Sequence, residues 1–320
     1  MQPLLRLRPF LRIAAALVVL GLSAPAAWSE ASAPVAPVTK PAAPLVALLS
    51  AYPPETDAMI AEFGLDRGGF SEERVKGFRY RRGSLEGKEV VVFETGMSLV
   101  NAAMALQLAL DRLPITHVLF AGVAGGIDPS LRIGDVVVPE RWAYHCEAAY
   151  FNPKPDGPGW VTADYFKQRY PNFGMIFPDE MVAIRADKNK FERVAAFPAD
   201  PVLLDAARRA VAKLGPLATA ESGRAVSVSV GGTGVSGTVF MDNRDYREFV
   251  FKTWRARCLD MESTAYAHVC YTNEIPFLAV RALSDLAGGQ APGEINAADA
   301  TEHATSVHAV KVLRAVLREM

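Results

Sequence analysis

The stretch from Leu259 to Asp285 constrains the fold more than any other part of the chain. A short apolar run ends at Met261-Glu262, a helical segment follows, and a second apolar run, Phe277 to Ala282, leads to Ser284-Asp285. Open α/β sheets bind ligands at the carboxyl ends of their strands, and acids beside such apolar runs are costly to bury unless they are paired or used. Either acid alone is explained by helix capping or the helix dipole. Together they predict a ligand site between two strand ends.

Strands and helices alternate along the rest of the chain. Continuous apolar runs predict buried strands at Leu45–Leu49, Val90–Phe93 and His117–Phe120, with further strands at 135–139 and 225–230. Helices are predicted from Pro53, where proline suits a first helical turn, and over 101–112, 201–214 and about 300–318. This alternation predicts an α/β fold with a largely parallel sheet.

Two glycine clusters invite a nucleotide-binding interpretation that their context excludes. Gly122 to Gly126 follows a strand, but the dinucleotide fingerprint requires a helix next, and IDPSLRIGDVVVP leads instead into another strand. We therefore expect a tight turn at these glycines. Gly231 to Gly234 lacks the Gly-Lys-Ser/Thr ending of a phosphate loop. The sequence predicts no cofactor.

The three cysteines, Cys146, Cys258 and Cys270, are odd in number and lack CxxC spacing. They suggest neither a disulfide framework nor a zinc site, and the sequence predicts no metal. We expect buried free thiols, with a Cys258–Cys270 bridge left open.

The N-terminus has the pattern of an export signal. Three arginines precede an apolar run from Ile13 to Leu22 and a small-residue segment ending near Ser29, so residues 1–29 are predicted to be a cleaved signal peptide. Residues 30–44 form an Ala/Pro linker, and residues 45–320 one domain. The cleavage region contains no cysteine that could carry a lipid, so we expect no membrane anchor after cleavage. We therefore expect a periplasmic or secreted protein.

The charge of the chain argues against a nucleic-acid partner. Its formal net charge is −1, and removing residues 1–29 takes away three arginines and no acids, which leaves −4. A mildly acidic chain lacks the basic surface of a nucleic-acid-binding protein.

Four segments resemble the purine nucleoside phosphorylase and nucleosidase family. They are LVALLSAYPPETDAM, ETGMSLVNAAMA, AGVAGGIDPSLRIGDVVVP and LDMESTAYAHVCYTNEIPFLAVRALSD. They are most similar to the branch that cleaves 5′-methylthioadenosine and S-adenosylhomocysteine. The resemblance runs from about Leu45 to the C-terminus and implies one mixed, twisted sheet flanked by helices. It also implies a homodimer or larger homo-oligomer.

Cleaving an N-glycosidic bond requires an acid at the departing base, a carboxylate for the attacking water and acceptors for the ribose hydroxyls. The resemblance implies that Asp285 protonates purine N7, with Ser284 orienting it, and that Glu55 activates water. It assigns Glu262 to the ribose hydroxyls, with Met261 beneath the sugar. The alternative for Glu55 alone is an ordinary first-turn helix acid.

The resemblance implies four further contacts with the purine nucleoside. Phe240 stacks on the base beside Met241, and Arg281 and Thr95 make supporting contacts. Three of them have a structural alternative. Phe240 could be an ordinary core residue, Arg281 could be a structural ion-pair partner, and Thr95 could be a threonine of a turn beside Gly96. His145 is expected to be a packed residue and not a catalyst.

Hydrolysis is the predicted reaction because phosphate-binding arginines are missing. Family phosphorylases place one just before the glycine loop, where this chain has Phe120, and AYPPETDAM contains no arginine. A phosphate dianion would lack its usual partners. A phosphorylase stays the alternative enzyme, and a non-catalytic nucleoside-binding or storage protein the alternative of another class.

Two features separate this chain from the nucleosidase pattern. Cys146 stands where that branch usually has aspartate, and residues 152–198 form an aromatic-rich insertion. The insertion is expected to be either a surface or subunit-contact segment or a lid over the 5′ side of the nucleoside.

Overall fold

A computed structural model describes residues 44–217 and 224–320. The predicted signal peptide and all but the last residue of the linker lie outside these ranges. Within them, no helix is both long enough and apolar enough to cross a bilayer.

Six helices and eighteen strands make up the described part of the chain. The helices are α1 (Pro53–Phe63), α2 (Leu99–Leu110), α3 (Pro201–Lys213), α4 (Arg244–Trp254), α5 (Ser263–Asn273) and α6 (Ala298–Glu319). The strands are β1 (Leu45–Ser50), β2 (Phe70–Val75), β3 (Phe78–Leu85), β4 (Lys88–Glu94), β5 (Ile115–Gly126), β6 (Val136–Val138), β7 (Arg141–Tyr144), β8 (Ala148–Tyr150), β9 (Asn152–Pro153), β10 (Trp160–Val161), β11 (Ile176–Pro178), β12 (Met181–Ile184), β13 (Phe191–Val194), β14 (Phe197–Pro198), β15 (Val228–Val230), β16 (Thr233–Ser236), β17 (Ala256–Asp260) and β18 (Phe277–Asp285).

One mixed sheet organises the domain. Its main path runs β14-β7-β16-β17-β5-β1-β4-β3-β2, and β18 pairs with both β5 and β6. β1, β4, β5 and β18 form its parallel centre. Every residue of β1 and β18 is buried, because helices cover both faces of a parallel sheet. The predicted α/β fold is confirmed.

Helix boundaries follow the local sequence. α1 begins with Pro53, as predicted, and ends at Gly64, whose φ of 67° suits glycine. α3 begins after Asp200, whose carboxylate accepts hydrogen bonds from two first-turn amides. α6 begins two residues before its predicted start. The apolar side chains of its C-terminal half pack in the core.

The prediction of a tight turn at Gly122 to Gly126 is wrong. All these residues belong to β5, and none of their glycines has a positive φ. They are glycines because other groups approach the strand closely. A Cβ at Gly122 would lie 1.9 Å from Glu55 Oε1, and one at Gly125 would lie 3.0 Å from Asp285 Oδ1.

The insertion packs against α4. Phe173 contacts Tyr246 with ring centroids 5.1 Å apart, and Tyr170 lies 5.5 Å from Trp254. Among the described residues, none from 152–198 lines the pocket that contains Glu262 and Asp285. The insertion therefore lies beside α4, the helix that follows Phe240 in the chain, and does not cover the pocket in this chain.

All three cysteines are free. Cys258 and Cys270 are buried, as predicted, and Cys146 is half-buried. The bridge between Cys258 and Cys270 that the sequence left open is not formed.

Candidate active site

The strand ends that the sequence singled out meet in one pocket. Glu262, at the start of α5, and Asp285, at the end of β18, both line it, and Glu55 from α1 reaches the same space. All three carboxylates are nearly inaccessible to solvent. The pocket is thus a shared space between distant chain segments in which buried acids converge.

Asp285 is held by three donors. The hydroxyl of Ser284 donates to Oδ2 at 2.9 Å, and Oδ1 accepts from the amide of Ala287 at 2.7 Å and from Asn296 Nδ2 at 3.3 Å. Ser284 therefore lies where an orienting residue is expected. These contacts fix the direction in which the carboxyl group faces the pocket.

Glu262 has one strong partner. Its Oε1 accepts a hydrogen bond from the amide of Ser98 at 2.7 Å. Ser98 has a φ of 78°, an uncommon conformation for a residue other than glycine, which aims this amide at the carboxylate. Burial, and next the nearby charge of Asp260, raise the pKa of Glu262 well above its ordinary value. Met261, immediately before it, also lines the pocket.

Glu55 is fixed by two backbone amides. Ala51 N donates to Oε2 at 2.7 Å and Val123 N donates to Oε1 at 2.8 Å. Its side chain is almost completely buried, so desolvation raises its pKa to about 7, although Arg281 opposes the shift. A carboxylate with a pKa near neutrality suits a general base. Glu55 does lie in the first turn of α1, but its burial in the pocket distinguishes it from an ordinary first-turn acid.

Arg281 lies at the centre of the acids. Its guanidinium is 3.6 Å from Glu55 Oε1, 3.8 Å from Glu262 Oε2 and 3.2 Å from Asp260 Oδ2. It also stacks over the ring of Phe120, with Cζ 4.4 Å from the centroid. Arg281 is therefore the ion-pair partner of three acids of the pocket, and its supporting contact with a nucleoside stays a prediction.

Phe240, Met241 and Thr95, the remaining residues that were predicted to contact a nucleoside, differ in their position relative to the pocket. Phe240 lies at the pocket rim with 66% of its surface exposed, so it is not core, whereas Met241 is buried and lines the same wall. Thr95 does not line this pocket. Its hydroxyl hydrogen-bonds Tyr266 and the carbonyl of Ser50, so it supports the site from behind.

His145 is packed away from the pocket, in agreement with its expected role. Its Nδ1 lies 3.1 Å from the hydroxyl of Tyr246, and burial lowers the pKa of the imidazole to about 4.

Sequence reasoning missed Asp260 and Tyr52. Asp260 ends β17 and is buried among donors, and the hydroxyl of Tyr52 donates to Glu302 at 2.9 Å on the pocket wall. The sequence did contain an indication of Asp260, because this residue ends an apolar run in the same way as Asp285. It contained no indication of Tyr52, because the partner of Tyr52 in the pocket, Glu302, is remote in sequence.

The charges of the pocket favour a neutral nucleophile. Six lining residues are acidic, and Arg281 is the one lysine or arginine among those described there; the acids are Glu55, Asp260, Glu262, Asp285, Asp299 and Glu302. No group of three or more His, Cys, Asp or Glu residues within 44–217 and 224–320 is arranged to hold a metal ion. The arrangement can donate a proton, accept one and bind hydroxyl groups.

Comparison with known proteins identifies the family of the chain. The model of the phosphorylase superfamily matches residues 45–320. A 5′-methylthioadenosine/S-adenosylhomocysteine nucleosidase of Geobacillus kaustophilus is 31% identical over 221 residues, covering 69% of this chain and 77% of that protein. One from Mycobacterium bovis is 28% identical over 228 residues, covering 70% and 80%.

Solved structures share the fold. The nucleosidase of Colwellia psychrerythraea in complex with adenine superposes with a TM-score of 0.64 at 23% identity, covering 87% of this chain and 96% of that one. The futalosine hydrolase of Helicobacter pylori gives 0.63 at 19% identity, covering 87% and 99%. The predicted family is confirmed, and so is the predicted enzyme class, because the relatives are named as nucleosidases, which are N-glycosidases. The chain belongs to the phosphorylase superfamily and is similar to the nucleosidases within it.

Proposed function

We propose that this protein is an exported purine nucleosidase that hydrolyses adenosine-type nucleosides, including 5′-thio derivatives, to the free base and the sugar. The observation that carries the proposal is the convergence of Glu55, Glu262 and Asp285 in one buried pocket. The nucleosidase names of the relatives support the substrate class.

Each acid has one task in this reaction. Glu262 binds the ribose hydroxyls above Met261. Asp285 gives a proton to purine N7 as the bond between C1′ and N9 breaks and its electron pair goes to the base. Water adds to C1′, and its proton goes to Glu55, whose pKa of about 7 leaves it able to accept one near neutral pH. Phe240 and Met241 flank the base.

Water is preferred over phosphate because of the charge of the pocket. Arg281 is already surrounded by three carboxylates within 3.8 Å. A phosphate dianion beside Glu55 would meet repulsion without a free cation, and an unpaired buried charge is strongly unfavourable.

Export and self-association complete the proposal. The pattern of residues 1–29, which predicts a cleaved signal peptide, supports periplasmic or secreted localisation; cell fractionation together with detection of N-terminal processing would test it. Exposed apolar side chains along α2, Val100 and Met104, with Met97 just before it, support a homodimer that covers them. Light scattering coupled to gel filtration measures this directly, and a monomer would contradict it.

The decisive assay incubates the purified protein with adenosine, inosine and methylthioadenosine, with and without inorganic phosphate. We expect free base and free sugar without phosphate. Strict dependence on phosphate, with a sugar 1-phosphate as product, would establish a phosphorylase instead. Purine binding without turnover of any of the three would indicate a binding protein.

A further inference from the structure

Asp260 has more hydrogen-bond donors than any other acid of the pocket. Its Oδ1 accepts from the hydroxyl of Ser236 at 2.5 Å and from the amides of Glu262 and Ser263 at 3.2 and 3.1 Å. Its Oδ2 accepts from the hydroxyl of Ser263. Asp260 thereby ties the end of β17 to the first residues of α5, immediately beside the ribose-binding carboxylate.

Asp260 is also the acid closest to Arg281. The separation of 3.2 Å from Arg281 Nε compares with 3.6 Å for Glu55 and 3.8 Å for Glu262. Since Arg281 is only 2% exposed, its charge is little screened by solvent, and the nearest anion has the largest effect on it.

We propose that Asp260 is a positioning residue. It holds the guanidinium of Arg281 between Glu55 and Glu262, and its negative charge partly cancels the electrostatic effect of Arg281 on these two glutamates. The inference rests on the proposed function for its kinetic consequence. Without this offset, Arg281 would favour the ionised forms of both glutamates, and Glu55 would be a weaker base.

The titratable and charged groups that interact electrostatically with Glu55 come from several elements. They are Arg281 on β18, Asp260 on β17, Glu262 and Tyr266 on or next to α5, and Tyr52 before α1. Of these, Arg281 lowers the pKa of Glu55, and Asp260 raises it. Removing the charge of Asp260 therefore moves the pKa of Glu55 downward.

The test is the pH profile of kcat/KM for wild type and Asp260→Asn. Activity needs Glu55 ionised, so it is lost as pH falls through the pKa of Glu55. Asparagine keeps the size and one acceptor of the side chain but removes its charge. We expect the acidic limb to move to lower pH by about one unit, because a neighbouring charge in a buried site shifts a carboxyl pKa by an amount of this order.

Two further variants separate charge from structure. Asp260→Glu retains the charge and should leave the acidic limb at its wild-type position even if the rate falls. Ser263→Ala removes a hydrogen bond to Asp260 without changing the charge and should lower the rate or stability with the limb unmoved. A limb that moves equally in Asp260→Asn and Ser263→Ala, or stays in place in Asp260→Asn, overturns the proposal.

Folding and the proposed activity are checked separately. Thermal denaturation establishes that Asp260→Asn is folded, and Asp260→Ser, which leaves space for water around the freed amides, is the second variant. If neither folds, Asp260 serves only the fold and the proposal is wrong. If the wild type turns over no nucleoside, the proposed function fails. The inference is then decided by the carboxyl ¹³C titration of Glu55, assigned with Glu55→Gln, in wild type and Asp260→Asn.

Discussion

Replacing Gly122 with alanine tests whether the position of Glu55, and not only its presence, supports catalysis. A Cβ at this position would lie 1.9 Å from Glu55 Oε1 and 2.5 Å from Arg281 Nη1. Both atoms are almost fully buried, so neither side chain can swing into solvent. The added methyl group must displace one or both groups while leaving every charge of the pocket in place.

The size of the effect follows from these distances. Ordinary van der Waals contact begins at about 3.4 Å, and the Cβ would lie 1.9 Å from Glu55 Oε1, so the carboxylate must shift by about 1.5 Å. A shift of this size breaks its hydrogen bonds with the amides of Ala51 and Val123. Overpacking of this kind costs about 1–3 kcal/mol of stability. A misplacement of about 1 Å in a catalytic group reduces the rate about 10²-fold. We therefore expect kcat/KM of Gly122→Ala to fall at least about 10²-fold while the protein stays folded.

The assay compares kcat/KM and the melting temperature of wild type, Gly122→Ala and a matched control, Gly215→Ala. A Cβ at Gly215 would meet no atom within 4 Å, so that variant should match wild type in both measurements. Rates for Gly122→Ala within a few-fold of wild type, in a folded protein, would refute the reasoning that Glu55 and Arg281 act from the positions seen here.

Two substitutions address the chemical steps directly. Asp285→Asn keeps the shape but cannot transfer a proton to the purine, so turnover should fall by about 10²–10⁴-fold with circular dichroism unchanged; near-normal steady-state rates would place the acid elsewhere. Glu55→Gln should abolish single-turnover sugar release while calorimetry still detects nucleoside binding; unchanged hydrolysis would eliminate Glu55 as the base, and unchanged phosphorolysis would point to a phosphorylase.

The sequence predicted those parts of the fold that depend on local pattern. Buried parallel strands such as β1 and β18 are continuous apolar runs, and α1 carries its proline signal at Pro53. The hairpin of β2 and β3 was not predicted because most of its residues are polar and only Tyr80 and Leu85 are buried, which leaves no clear hydrophobic period to recognise.

Site residues were predictable where the chain order itself brings acids to strand ends, as for Glu262 and Asp285. Gly122 was misread because its requirement comes from Glu55, a side chain on another element. Asp260 ends an apolar run, as Asp285 does, but its hydrogen-bond donors, including Ser236 and Ser263, come together only when β16, β17 and α5 assemble. The surroundings of Gly122 and of Asp260 therefore depend on tertiary contacts, which the local sequence does not specify.

The acids that equip the pocket for catalysis should also make the fold sensitive to pH. Burial raises the pKa of Glu55 from 4.5 to about 7, so the folded protein binds more protons than the unfolded chain between those values. Its contribution to stability is fully present below pH 4.5 and is lost as pH rises through 7. At about 1.4 kcal/mol per pKa unit, Glu55 alone lowers the free energy of unfolding by about 3 kcal/mol over this window, and Glu262 acts in the same direction. We expect Glu55→Gln to flatten the pH dependence of urea denaturation between pH 5 and 8. An identical slope in both proteins would mean that Glu55 is ionised throughout, and so that it is too weak a base for the role proposed here.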